Sequence, residues 1–288
     1  MIPEHFILAT WDNKPQTHLL EEVDLGATYA CLKAWKEGSG EELFAFFNSG
    51  EHSGASQPHR HLQFLPVEKM REQNGSEGWD VLVNGLSKAQ ELDDCKLAII
   101  HTIMQSYTIS LLHAPIISII KSDANQTYLA QDPHQTTLHV HKNLPFKTIA
   151  APLPASPTPS LLHKLYLCLY SSAVEACSVH TLKSPNNPSS AQLSDQLPPL
   201  GPAQISYNLA LTTHVMAICP RRSGGAMLKW DDGTEVGHVE LNGTVLGGTL
   251  MVKREDEWDV LKKGEHGGLD EVLKGIGYPL DGSVAERL

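Results

Sequence analysis

The sequence predicts a mixed α+β fold, with helices flanking an antiparallel sheet. Three observations carry this. The first 68 residues alternate as strand, helix, strand, loop and strand. A second stretch, further on, has leucines spaced by four. The C-terminal part is built of short apolar runs broken by glycines, the pattern of strands and turns. With 288 residues, 41% of them hydrophobic, the chain has material for one large or two ordinary packed domains.

Residues 6–10 read as a strand, and 11–17 are polar and turn-prone. Over 21–36, Leu25, Tyr29, Leu32 and Trp35 recur at helical spacing. Glu21, Glu22 and Asp24 sit where the helix dipole favours acids, and Gly38 is the expected stop. Leu43-Phe44-Ala45-Phe46-Phe47 is an apolar run of strand length, and a loop of Gly, Ser and Asn leads to a second strand over 59–65. A polar loop is expected over 72–78, then a short apolar segment over 79–83. The patchily apolar stretch 97–120 contains His101, Gln105, Ser106, Ser110, His113 and Pro115. It therefore fails the requirement of about 20 mostly apolar residues for a membrane helix. After His113, His134, His139 and His141 no Cys, Asp or Glu follows at ligand spacing, so no metal site is expected there. Residues 69–143 are read as an atypical, disordered insertion.

The chain then enters a Pro-rich linker over 155–159. Ser160 is the expected N-cap of a helix carrying Leu161, Leu165, Leu169 and Ala173. Residues 184–202, rich in Pro, Ser and Asn, are expected to be a disordered loop. Strands follow over 205–212 and 215–219, then a long ribbon over 239–252. The glycines at 243–248 are read as its hairpin. Helices over 257–262 and 269–274 close the chain.

A net charge of −11 argues against nucleic acid or a membrane surface as partner, since both demand a basic face. Five cysteines without a Cys-x-x-Cys pair read as free thiols in a reducing compartment. No signal peptide pattern opens the chain, so a cytoplasmic protein with access to the nucleus is expected.

The most informative stretch is Asn48-Ser49-Gly50-Glu51-His52-Ser53-Gly54-Ala55-Ser56-Gln57-Pro58-His59-Arg60-His61-Leu62-Gln63. On a strand of period two, His59, His61 and Gln63 share one face, with Arg60, Leu62 and Phe64 on the other. The loop before them can offer backbone N–H groups to phosphate oxygens without net positive charge. These residues resemble the histidine-triad superfamily in its His-x-His-x-Gln, nucleotidyl-transferring branch. More closely, they are similar to fungal-type diadenosine tetraphosphate phosphorylases, also called ATP adenylyltransferases. Ile205-Ser206-Tyr207-Asn208-Leu209-Ala210-Leu211-Thr212-Thr213 and Cys219-Pro220-Arg221-Arg222 extend the resemblance. It covers roughly residues 1–68, 144–182 and 200–280.

The resemblance implies a histidine-triad-like sheet, truncated at its N-terminus relative to the family. Its parts are a catalytic core over 1–68, the insertion at 69–143 and an adenylyltransferase region over 144–288. It implies phosphorolysis of diadenosine tetraphosphate to ATP and ADP through a nucleotidyl-histidine. His61 would be the nucleophile, His59 would hold geometry or share protons, and Gln63 would donate to a phosphate oxygen. Because Gln63 cannot act as a base, phosphate would be preferred over water as acceptor. Asn48, Ser49, Gly50, Ser53, Gly54, Ala55, Ser56 and Gln57 would hold the nucleotide, with Asn208, Thr212 and Arg221 as a second wall. The implied partners are diadenosine polyphosphate, ATP, ADP and phosphate, with Mg²⁺ only as nucleotide counter-ion, and the implied state is a monomer. The competing readings are a nucleotide-binding paralogue with little activity, and transfer or hydrolysis on another dinucleotide or a nucleotide-sugar.

Overall fold

The computed structural model describes residues 2–74, 80–86, 90–91, 139–140, 144–182, 198–250, 252–263 and 268–280. Its elements are β1 (Phe6–Ala9), α1 (Glu22–Ser39), β2 (Leu43–Ser49), β3 (His61–Pro66), α2 (Val67–Asn74), α3 (Leu82–Leu86), β4 (Gln90–Glu91), β5 (His139–Val140) and β6 (Ile149–Pro152). They continue with α4 (Pro159–Leu182), β7 (Ser206–Leu211), β8 (Val215–Arg221), β9 (Gly225–Lys229), β10 (Glu235–Glu240), α5 (Glu255–Lys263) and α6 (Leu269–Ile276). The main sheet runs β1-β3-β2-β7-β8-β6-β5-β4, and every neighbouring pair is antiparallel. Strands β9 and β10 form a separate hairpin. No helix among the described residues is long and apolar enough to cross a membrane.

The unbroken apolar run of β2 follows from its place in the sheet. It has strands on both sides and a packed layer on both faces, so every residue from Leu43 to Ser49 is buried. Leu43, Ala45 and Phe47 join Leu62, Phe64, Leu209 and Ile218 on one face. Leu25 and Leu32 of α1 and Leu162, Leu165 and Leu169 of α4 cover them. Phe44 and Phe46 point to the opposite face, with Leu65, Ala210 and Ala217. There they meet Met70, Val83, Leu246, Val260 and Val272. The apolar stripes of the two long helices are thus the lid of the first core.

Arg60 faces this helical side, as the strand period requires. It is 2% exposed, with Nη1 2.8 Å from Asp24 and 2.8 Å from Glu21. Lys14 closes the cluster at 2.7 Å from Glu21. The side chain of Asp24 accepts from the Glu21 backbone, so the same acids cap α1. The hydrogen bond from Lys14, aided by Arg60 against the cost of burial, holds the Glu21 carboxyl below its ordinary value of 4.5. A carboxylate held low in the fold stabilises it wherever both states are ionised. The stability gap between wild type and Glu21→Gln should therefore be constant above the ordinary value and shrink as pH falls through the folded-state value. Urea midpoints across that acid range check it; a gap that widens toward low pH would refute it.

Several boundaries differ from expectation for local reasons. Helix α1 runs through Gly38 and stops at Gly40, whose φ of 77° supplies the left-handed cap. Thr158, not Ser160, caps α4: its Oγ1 accepts from the Leu161 N–H at 3.2 Å, and Pro159 takes the first helical position. The loop expected from residue 72 begins later, because α2 continues to Asn74. The ribbon expected over 239–252 is instead the hairpin β9–β10 followed by a 3-10 turn, Gly243–Gly247, capped by the side chain of Asn242. Within 69–143, the described residues complete α2, form α3 and add β4 and β5 to the sheet edge. The side chains of the histidine cluster, and residues 184–197 of the Pro/Ser-rich stretch, lie outside the described residues.

Candidate active site

The β2–β3 pairing ends, in register, at Phe46 opposite Gln63. His61 lies beyond that point, at the first position of β3, and is buried. Its Nδ1 is 2.8 Å from the carbonyl oxygen of His59. A carbonyl can only accept, so Nδ1 carries the proton and the neutral ring keeps its lone pair on Nε2. Nε2 has no partner among the described residues. Gln63 follows on the same face, half-buried, and its carboxamide is likewise without a partner among the described residues. Ala9 and Ile7 of β1 stand directly across from His61 and Gln63. Both are exposed, so this edge of the candidate site is open.

His59 does not extend β3. It makes an isolated bridge with Pro15, and its Nε2 lies 3.1 Å from both the Asp12 carbonyl and Thr10 Oγ1. Its ring anchors the loop after β1, and its carbonyl, rather than its imidazole, orients His61. The expected row of three side chains is therefore a pair, because the chain leaves the strand before His61.

Asn48 and Ser49 end β2 and are buried, and Gly50 turns the chain at a φ of 89°. A side chain at Gly50 would collide with Ser206. Gly54, at a φ of 74°, brings the loop against Leu241, whose carbonyl would sit 2.6 Å from an added Cβ. Ser53 is buried, and its Oγ donates to the Gly50 carbonyl at 2.7 Å and accepts from the Ala55 N–H at 3.3 Å. Beyond it Ala55 is half-buried and Ser56 and Gln57 are exposed. The main-chain N–H groups of Ser56 and Gln57 have no partner among the described residues.

Asn208 is the hub beneath the loop. It pairs with Asn48 across the sheet, and its Nδ2 donates to Asn48 Oδ1 at 2.9 Å and to the Ser53 carbonyl at 2.8 Å. Its Oδ1 accepts from Arg221 Nη1. Arg221 is 2% exposed and spends its remaining donors on carbonyls. Nη2 reaches Ser223 at 3.0 Å, Gly224 at 3.3 Å and Leu241 at 2.9 Å, and Nε reaches Ile276 at 3.3 Å. Burial pulls its pKa below the ordinary guanidinium value, and it makes no ion pair among the described residues. Arg221 thus acts on the loop through Asn208 and does not reach it as a phosphate clamp.

Thr212 lies elsewhere. It opens the β7–β8 turn, where its Oγ1 donates to Asn84 at 3.0 Å and accepts from the Val215 N–H at 3.3 Å. Just past the end of β7, it is four residues from Asn208, roughly 13 Å at about 3.3 Å per extended residue. The antiparallel register carries it away from the loop. Arg222 is turned to the end of α6, where it donates to the carbonyls of Gly275 and Lys274 at 3.0 and 2.8 Å. Cys219, opposite Asn208, has its thiol pushed up to about 12 by burial, which makes it inert.

Two contributors had no signal in the sequence. The Gly243 N–H donates to Asn48 Oδ1 at 2.8 Å, so the 3-10 turn forms part of the site. Gln16, 2% exposed, touches the backbone of both His61 and Asn48.

The sequence pattern of the Ap4A phosphorylase N-terminal domain matches residues 1–76, and that of the ATP adenylyltransferase C-terminal domain matches residues 142–279. Together the two spans take in well over half of the chain. The chain belongs to the Ap4A phosphorylase (ATP adenylyltransferase) family. Protein APA1 of Saccharomyces cerevisiae is 35% identical over 111 residues, or 36% of this chain and 33% of that protein. Diadenosine 5',5'''-P1,P4-tetraphosphate phosphorylase 2 of the same yeast is 31% identical over 116 residues, 36% of this chain and 34% of that protein. The matched part is about a third of each of these curated relatives. The crystal structure of yeast Ap4A phosphorylase Apa2 superposes with a TM-score of 0.58 at 20% identity, covering 100% of this chain and 71% of that one. Its complex with Ap4A gives a TM-score of 0.59, also at 20% identity, covering 96% and 70%. At such identity the likeness is one of fold. This Ap4A phosphorylase family member therefore shares its relatives' mixed helix and antiparallel-sheet architecture.

Proposed function

We propose that the chain catalyses phosphorolysis of diadenosine tetraphosphate to ATP and ADP through an adenylyl group carried on His61. The observation that carries this reading is the His61 ring, whose Nδ1 is bound to the His59 carbonyl at 2.8 Å while Nε2 has no partner among the described residues. An imidazole so held is a nucleophile with a fixed direction of attack. Nε2 bonds to the α-phosphorus, the bond from phosphorus to the bridging oxygen breaks, and ATP leaves. Phosphate then attacks the same phosphorus, releasing ADP and restoring the imidazole.

The N–H groups of Ser56 and Gln57, without partners among the described residues, and the carboxamide of Gln63 supply neutral donors to phosphate oxygens. This suits a histidine-triad-like site in an acidic protein. Mg²⁺ enters only as the counter-ion of the polyphosphate. No group of three or more His, Cys, Asp or Glu among the described residues could hold a metal.

The test omits the acceptor. Mixed with Ap4A alone, the chain should release one ATP per molecule and retain an AMP adduct that peptide mapping places on His61. Adding phosphate should discharge the adduct as ADP. Binding of Ap4A without any adduct would refute the proposal.

A further inference from the structure

We infer that Gln16 is a positioning residue for this reaction: its carboxamide replaces a missing rung of the sheet and holds the main chain of His61. The inference rests on the reading of His61 as nucleophile. The register that pairs Phe46 with Gln63 would, if continued, pair Asn48 with His61. Instead the strands part there, and the Gln16 side chain lies between them. Its Oε1 accepts from the His61 N–H at 2.8 Å. Its Nε2 donates to the Asn48 carbonyl at 2.8 Å and to the His61 carbonyl at 3.2 Å. The bond that would run from His61 N–H to Asn48 carbonyl now runs through an amide.

The insertion has a geometric consequence. Direct pairing would bring the ends of β2 and β3 to the ladder spacing of about 4.8 Å. With a carboxamide between them they are wedged apart at the two residues that lead into the glycine loop and the nucleophile. Gln16 is itself fixed, its N–H donating to the Pro58 carbonyl at 2.7 Å, and the Arg60 N–H donates to Lys14 at 2.8 Å. The segment 58–61, which contains both the His61 ring and the His59 carbonyl that orients it, is therefore registered against residues 14–16. Loosening Gln16 frees both partners of the Nδ1 hydrogen bond, and with them the tautomer that leaves Nε2 nucleophilic.

The test uses Gln16→Met, of similar length but without hydrogen-bonding groups, and Gln16→Glu, of the same shape. Three readouts are compared with wild type: adduct formation at saturating Ap4A, AMP affinity, and the imidazole ¹⁵N shifts of His61. Gln16→Met should slow adduct formation by about 10- to 100-fold, the scale of a small misplacement of a reacting group. AMP affinity should hold, and the ¹⁵N shifts should move toward mixed tautomers. In Gln16→Glu, burial against two carbonyls raises the new carboxyl's pKa. Its rate relative to wild type should climb as pH falls and the carboxylic acid regains a donor for Asn48. Should Gln16→Met fail to fold, this pH profile decides alone. A wild-type rate in Gln16→Met, or a rate loss matched by lost AMP affinity with unmoved ¹⁵N shifts, overturns the inference. A wild type that forms no adduct would sink the reaction assignment instead, and the ¹⁵N comparison would still decide the role of Gln16.

Discussion

His61→Ala should abolish the proposed phosphorolysis while nucleotide binding persists. Removing a covalent nucleophile removes the route, so the loss should exceed the roughly 10²–10⁴-fold that a positioned acid–base group supplies. Among the described residues the ring makes a single hydrogen bond, to the His59 carbonyl, and the main chain at this position is held independently by Gln16. Fold and phosphate loop should therefore survive. Steady-state turnover of Ap4A, with AMP affinity measured on the same preparation, separates chemistry from binding. Turnover within an order of magnitude of wild type would show that phosphate attacks the dinucleotide directly and that His61 is not the carrier.

Arg221→Ala is expected to cost roughly 3–5 kcal/mol of stability, because buried acceptors left unpaired cost about 1–3 kcal/mol each. Five are at stake: Asn208 Oδ1 and the carbonyls of Ser223, Gly224, Leu241 and Ile276. Water can reach some of them, which keeps the total below the simple sum. Arg221→Lys should recover little, since one ammonium cannot span acceptors spread around a planar guanidinium. Urea denaturation with an unchanged m-value reads the effect directly. If Arg221 instead lined the nucleotide directly, as part of the second wall that the sequence resemblance implies, the variant would lose nucleotide affinity at undiminished stability. That result would overturn the placement of Arg221 as the support of Asn208.

Features whose physics is local were legible in the sequence. The period of two along 59–65 correctly puts His61 and Gln63 on one face and Arg60, Leu62 and Phe64 on the other, because side chains alternate wherever the strand is regular. The run of Leu43 to Phe47 is apolar because the strand has packed layers on both sides. The glycines at 50 and 54 mark positive φ angles. Features set by contacts distant in sequence were not legible. Gln16 meets His61 and Asn48 only because the loop after β1 folds back between two strands. His59 looks like a third member of the His61–Gln63 face until its ring is found pinned to Thr10 and Asp12. Thr212 follows the end of the strand that holds Asn208, but the register with β2 puts only Asn208 beneath the loop. The glycines at 243–248 pattern like a hairpin, yet they form a 3-10 turn whose first N–H completes Asn48. Sequence alone determined the family and the strand face shared by His61 and Gln63, since each is written in neighbouring residues. Which polar groups hold that strand open was decided only by tertiary structure, because a hydrogen bond between residues 16 and 61 leaves no periodicity in the chain.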